Sequence, residues 1–560
     1  MSNTNVRPKG VAPSRPSATK PSAARGISEQ AVVLAAMFAI GLVAMALLYR
    51  PWATPAIGYD SAASVLYFDR IAGRQPLEAF VGATPKPLMT LIYGLAFNVF
   101  HDWRLVSGVA TLEYPAMLVA GAALGWRASG PVAAFVAFFG LLLSRPLLLD
   151  GALTYANPWA ILLWALAGLA LTAGKPRYAW AGVALLLATL MRIETLIVLA
   201  LAAAALAAWR LLPARWIPSA SRLPARPPAR ASLLLLGFLA LPIMIIHDLA
   251  LASNGFFWLD VSSIVSRTDP TLVETPAQVG GDLIRHFAAM WPFLGLAIVG
   301  VADLVRRRSV VVLLGLIALV PGVVALIELL ALKSTYVSYR YTIPADAALT
   351  FAAAIGVGAV TRVALDASRR LDVPRVVARL ATAERSRVRL GLAAAGLVIG
   401  ALVFVSPIGP VARGAGPTIN DYRSLQSNYE RLQPAIAAGL KALPDQPAWG
   451  IANLEDPKSN PPPRLYAPTL LMPRLAVDLA VPVWAVGAGS PLTAVTDPAS
   501  LRVSSTCLVY IDASQGGDAL AADQPLEVDR PVRVGHVDVE PLAAYPADGL
   551  WLVRLSPAGD

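Results

Sequence analysis

Long apolar runs alternate with short segments rich in arginine over roughly the first 410 residues. The runs lie near 31–49, 105–125, 131–148, 158–174, 178–191, 193–209, 232–252, 288–304, 309–331, 342–361 and 390–408, and we read these eleven as membrane spans. A further run, "PLMTLIYGLAFNVF" at 87–100, is short for a span and opens with Lys86-Pro87, as a helix start does. The basic residues decide its place. With 87–100 lying along the outer interface, Arg127, Lys175, Arg177, the linker from Arg210 to Arg230, Arg306–Arg308 and the 362–389 segment all fall inside with the N-terminal tail. If 87–100 crosses the membrane, every one of those segments except the tail changes side.

The first 28 residues, rich in Ser, Pro and Ala, read as a disordered cytoplasmic tail, and the run that follows has no small-residue cleavage signature and reads as a retained helix. The transmembrane domain then covers 29–408. Its first external loop, 50–104, carries two interfacial helices at about 61–72 and 87–100. Beyond 408 the pattern changes. Tyr422, Leu425, Tyr429, Leu432, Ile436 and Leu440 have amphipathic helical spacing, and strand-like runs "AWGIAN", "SSTCLVYID" and "GLWLVRLS" follow between turn residues. We expect a mainly α, polytopic membrane protein with an extracytoplasmic α/β domain at 409–560. That domain has no acidic–basic cluster of its own, which points to acceptor binding or docking rather than catalysis.

Composition agrees. The chain is 56% hydrophobic and 14% charged, with a mean hydropathy of +0.61, too apolar for a soluble globule. The net charge of +11 sits in the loops between apolar runs, so it reads as topology and not as nucleic-acid binding. The lone Cys507 excludes an intrachain disulfide, and His101, His247, His286 and His536 lack ligand spacing.

With this topology the polar residues at membrane depth gather on the outer side: Asp60, Lys86, Asp150, Arg192, Glu194, Lys333, Arg340 and Tyr341. Ionisable groups are costly there and mark sites. Carboxylates beside cations suit a hydroxyl nucleophile and a phosphate leaving group: the carboxylate takes the proton, and the cations hold the phosphate. Plainer roles exist for each. Asp60 reads equally as a cap for the 61–72 helix, Lys86 and Arg340 as interface anchors, and Tyr93 and Trp103 as interface aromatics.

The stretches "AIGYDSAASVLYFDR", "GATPKPLMTLIYG", "RPLLLDGALTYANP", "LMRIETLIVLALAAAAL" and "SYRYTIPADAAL" together resemble the GT-C superfamily of integral-membrane glycosyltransferases. In layout they are nearest to the bacterial protein O-mannosyltransferases and lipid A aminoarabinose transferases. The resemblance covers about residues 31 to 361. It implies a polyprenyl-phosphate-sugar donor, an acceptor on a cell-envelope glycan, lipid or protein, and transfer with inversion at the outer face of the plasma membrane. In that scheme Asp60 is the general base and Asp150 orients hydroxyls. Lys86 and Arg340, with Tyr341, hold the lipid phosphate, and Arg192 and Glu194 fix helix ends beside the cavity. Asp60 is followed by Ser where relatives pair two acids, and Lys86 precedes one proline where they have two. These departures leave the sugar and a divalent-metal cofactor open. The rival expectations are an O-antigen-type polymerase or ligase and, in another class, a transporter or flippase of lipid-linked sugars. A transporter calls for polar residues in broken helices at mid-membrane and internal repeats, neither of which the sequence has.

Overall fold

The computed structural model describes residues 29–50, 52–211, 227–268, 275–307, 309–333, 339–370, 419–444, 462–488, 503–512, 527–528 and 530–558. The apolar run at 390–408 and the "AWGIAN" stretch lie outside them. The other ten runs all fall on helices. Among the described residues, five helices are long and apolar enough to cross a membrane: Glu29–Tyr49, Trp103–Ser129, Ala229–Ala252, Val310–Leu332 and Ile343–Val363. The number rises to seven when two bent pairs, Pro131–Leu142 with Pro146–Ala152 and Pro276–Ala289 with Phe293–Arg306, each count as one. Helices Asn157–Leu171, Tyr178–Met191 and Thr195–Leu211 have 15, 14 and 17 residues. At about 1.5 Å per residue they are shorter than a ~30 Å hydrocarbon core. The chain is a multi-pass membrane protein.

Prolines explain several interruptions. The 309–331 run divides at Val320, whose successor Pro321 starts a new helix, because a proline inside a helix removes a backbone donor and clashes with the preceding turn. Pro146 likewise opens the short helix Arg145–Ala152 after the 131–142 helix ends.

The two helices expected in the first loop are present as Tyr59–Ala72 and Pro87–Phe100. They cross where Gly94 meets Phe68: a Cβ on Gly94 would lie 2.1 Å from the Phe68 ring. Buried Met89, Tyr93 and Phe97 on one helix share a cluster with Ala62 and Val65 on the other. This contact fixes the distance between the residues at the two helix starts, Asp60 and Lys86.

The C-terminal region is an α/β unit, as the pattern predicts. A helix over 419–442 buries Leu425, Tyr429, Leu432 and Ile436 against a six-stranded sheet. The strands are β1 (Leu465–Ala467), β2 (Val486–Ala488), β3 (Cys507–Asp512), β4 (Val532–Val534), β5 (Val537–Tyr545) and β6 (Leu550–Pro557), in the order β2-β1-β3-β6-β5-β4. β1 runs parallel to β2 and β3, while β3, β6, β5 and β4 pair antiparallel. β3 is buried at all six positions and reads as a continuous apolar run because both faces are covered.

Gly94→Ala should force Phe68 to move and cost about 1–3 kcal/mol by overpacking. A lower melting temperature in detergent, partly restored by adding Phe68→Ala, is the expected result.

Candidate active site

Asp60 lies in the first turn of Tyr59–Ala72, but it does not cap that helix. The cap position belongs to Gly58, and no side chain bonds there. The capping role is therefore excluded. The Asp60 Oδ2 instead accepts from Lys86 Nζ at 3.3 Å and from Arg340 Nη1 at 3.0 Å. Asp60 and Lys86 side chains are each 12% exposed. Lys86 is the residue before Pro87 and also donates to the Thr84 carbonyl at 3.0 Å, so it points inward and is not a surface anchor. Arg340 arrives on the short turn Tyr339–Tyr341 that leads into the helix from Ile343.

Burial pushes the Asp60 carboxyl up, but the charges of Arg340 and Lys86 outweigh it and hold the group at about 2. Burial pulls the Lys86 ammonium down; Asp60 opposes this, while Arg192 and Arg340 add to it.

The start of the Asp60 helix is clamped from behind. Gly58 N–H donates to Leu153 O at 3.0 Å, and Ser61 Oγ donates to the Leu153 and Thr154 carbonyls at 3.0 and 2.8 Å. Any side chain at position 58 would place its Cβ 2.6 Å from the Leu153 carbonyl and the Tyr155 ring. Tyr155 in turn lies under the Arg340 guanidinium, 4.2 Å from ring centroid to Cζ, a cation–π geometry.

Asp150 is placed differently from the expectation. It is fully buried in the helix Arg145–Ala152 and is absent from the cavity wall. Its Oδ2 accepts from Asn157 Nδ2 at 2.6 Å, and the same Nδ2 lies 3.3 Å from the Arg340 carbonyl. Asp150 is thus linked to the Arg340 backbone through Asn157.

Arg192 and Glu194 form a two-bond pair, Nε–Oε2 3.0 Å and Nη2–Oε1 2.6 Å, at the break between helices Tyr178–Met191 and Thr195–Leu211. The Tyr341 ring lies 5.6 Å from the Arg192 Cζ. Arg192 and Glu194 both line the cavity described below. Tyr93 and Trp103 are not interface aromatics: Tyr93 is fully buried and accepts from Trp159 Nε1 at 3.2 Å, while Trp103 donates to Asp478 Oδ1 at 2.7 Å.

A cavity of about 340 Å³ opens beside these groups. Its polar end holds Asp60, Lys86, Arg192, Glu194, Arg340 and Tyr341, and its body is lined by Leu196, Ile197, Met244, Val261, Leu326 and Leu330 among others. Among the described residues no three His, Cys, Asp or Glu side chains converge as metal ligands. The Asp60 oxygen that faces the cluster already has two cations, so this donor set does not fit a divalent ion.

No protein-family model matches the chain, and no curated protein matches it. Solved structures do. The oligosaccharyltransferase of Archaeoglobus fulgidus, tethered to an acceptor peptide containing the NVT sequon, has a TM-score of 0.50 at 12% identity, covering 86% of this chain and 69% of that one. Its apo form has a TM-score of 0.50 at 11% identity, over 87% and 70%. ArnT from Cupriavidus metallidurans bound to undecaprenyl phosphate has a TM-score of 0.46 at 14% identity, over 95% and 100%.

The Asp60 carboxyl is depressed from 3.8 to about 2. Its contribution to stability is therefore fully present above pH ~4 and is lost as pH falls through about 2. The gap in melting temperature between wild type and Asp60→Asn should stay constant above pH ~5 and narrow as the pH is lowered further. A gap independent of pH down to the acid limit would mean that the ion pairs contribute nothing. At these identities the likeness is one of fold: the chain shares the overall fold of the archaeal oligosaccharyltransferase.

Proposed function

We propose that this protein is a glycosyltransferase that moves a sugar from a polyprenyl-phosphate donor to an acceptor hydroxyl at the outer face of the plasma membrane, with inversion. The observation that carries the reading is the cavity, whose apolar lining meets the Asp60–Lys86–Arg340 cluster beside the Arg192–Glu194 pair. An isoprenoid tail fits the apolar body, and a phosphate fits the cationic end. The GT-C fold supports the same reaction class. The oligosaccharyltransferase that shares it carries an acceptor peptide, as a protein acceptor here would require.

In this mechanism the acceptor oxygen attacks the anomeric carbon while Asp60 takes the hydroxyl proton. The bond from that carbon to the phosphate oxygen breaks, and polyprenyl phosphate leaves with the electron pair. Lys86 and Arg340 stabilise the charge that develops on it. A carboxylate held at about 2 is a weak base. The arriving phosphate corrects this: it draws Lys86 and Arg340 toward itself, and Asp60 regains basicity as its partners leave. Base competence then depends on donor occupancy. Asp150 acts by positioning Arg340 through Asn157, and Arg192 with Glu194 braces the helix break that forms the cavity wall.

Purified protein in detergent, given polyprenyl-phosphate sugars and no ion gradient, should transfer sugar, which a transporter does not do. Asp60→Asn keeps the side-chain shape and should lower turnover by ~10²–10⁴-fold with donor binding retained. Lys86→Ala should weaken donor binding as well as turnover. A folded Asp60→Asn protein with wild-type turnover would remove Asp60 from the mechanism.

A further inference from the structure

One buried arginine of the C-terminal region orders the side chains that bond to the first loop and to Trp103. Arg474, 3% exposed, lies on the helix Met472–Asp478. Its guanidinium donates to Asp478 Oδ2 at 3.2 Å, to Glu430 Oε1 at 2.8 Å and to Gln426 Oε1. The Trp103 and Tyr429 rings lie 5.6 and 5.3 Å away. Asp478 is also held by Trp103 Nε1, at the start of a membrane-spanning helix. The arginine is therefore fixed from several sides.

Its effect on Gln426, 1% exposed, is directional. A guanidinium can only donate, so the Gln426 amide must turn its oxygen to Arg474 and its nitrogen the other way. That nitrogen donates to the Ile57 carbonyl at 3.1 Å. Ile57 C=O and Gly58 N–H belong to a single peptide plane. Its N–H is bonded to Leu153 O at 3.0 Å, from the membrane domain. One peptide is thus clamped at both ends, by the C-terminal domain and by the 153–155 turn. Gly58 is the cap position of the helix on which Asp60 is the second residue, so the tilt of this plane sets where the Asp60 carboxylate points.

We infer that Gln426, oriented by Arg474, is a positioning residue for Asp60, which makes the C-terminal domain part of the catalytic apparatus. The inference rests on Asp60 being the base.

Gln426→Glu keeps an oxygen for Arg474 and loses the N–H that holds Ile57, so it separates domain docking from loop positioning. Turnover at saturating donor should fall roughly ten- to hundredfold, the effect of misplacing a catalytic group by a fraction of an ångström to one. The affinity for polyprenyl phosphate should stay at the wild-type value, while the melting temperature falls modestly because the buried Ile57 carbonyl loses its donor. In an Asp60→Asn background the same change should cause no further loss, because the effect passes through Asp60. If Gln426→Glu does not fold, Gln426→Met removes both bonds, and its turnover loss should likewise vanish in the Asp60→Asn background. Wild-type turnover in the folded variant, or a loss that adds in full to that of Asp60→Asn, would overturn the inference. Unchanged turnover in Asp60→Asn alone would instead overturn the reading of Asp60 as base.

Discussion

One carboxylate oxygen, Asp60 Oδ2, accepts from two cations brought by segments 26 and 280 residues further along the chain. An exposed ion pair is worth little, because water screens it and two long side chains must be held still. Here the carboxylate and the lysine are mostly withdrawn from water, and removing one member strands like charges together. The surrounding structure holds these three groups in place. Gly58 and Ser61 fix the helix start that carries Asp60, the Thr84 carbonyl takes a second Lys86 proton, and Tyr155 and Asn157 hold Arg340 by its guanidinium and its backbone.

The same triad explains why the site lies at the lip of the cavity. Unpaired charge is expensive at membrane depth, so the cations stay neutralised by Asp60 until another anion arrives. In the proposed mechanism that anion is the donor phosphate, delivered with its tail in the apolar body of the cavity. Binding and activation are then one event: the ligand that needs the cations is also the one that frees the base. A carboxylate free from the start would be more basic but would leave Lys86 and Arg340 without that counter-charge in the resting protein.

Much of this was legible in the sequence, because loop charge alone put Asp60, Lys86, Arg192, Glu194 and Arg340 on one side. The "RIE" and "RY" stretches lie where the pattern put them, beside the cavity. The burial of Asp150 against Asn157 was not legible, because its partner lies on the next helix. Tyr93 and Trp103 were read as interface aromatics for the same reason, since periodicity cannot say which neighbour covers an aromatic face. Tyr155 and Asn157 were missed because their partner, Arg340, is far away in sequence. Gln426 gave no signal either. It follows Leu425 in a helix whose apolar stripe is clear, and a glutamine beside that stripe reads as solvent-facing.

The C-terminal domain was expected to serve the acceptor; its contacts show how it is joined to the rest of the chain. Its bonds to the first loop and first helix are largely to backbone: Arg70 to the Val481 carbonyl, the Val483 amide to Glu78, Arg423 to the Leu48 carbonyl and Gln426 to the Ile57 carbonyl. Backbone bonds fix orientation more strictly than contacts between flexible side chains. Tyr422 from the same helix packs in the cluster that contains Tyr155, the residue under Arg340. Asp60 therefore lies between the cavity and the helix over 419–442. An inverting displacement needs the acceptor and the leaving phosphate on opposite faces of the sugar. An acceptor guided by the 419–442 helix would meet the sugar from the face away from the cavity, with Asp60 within reach of its proton.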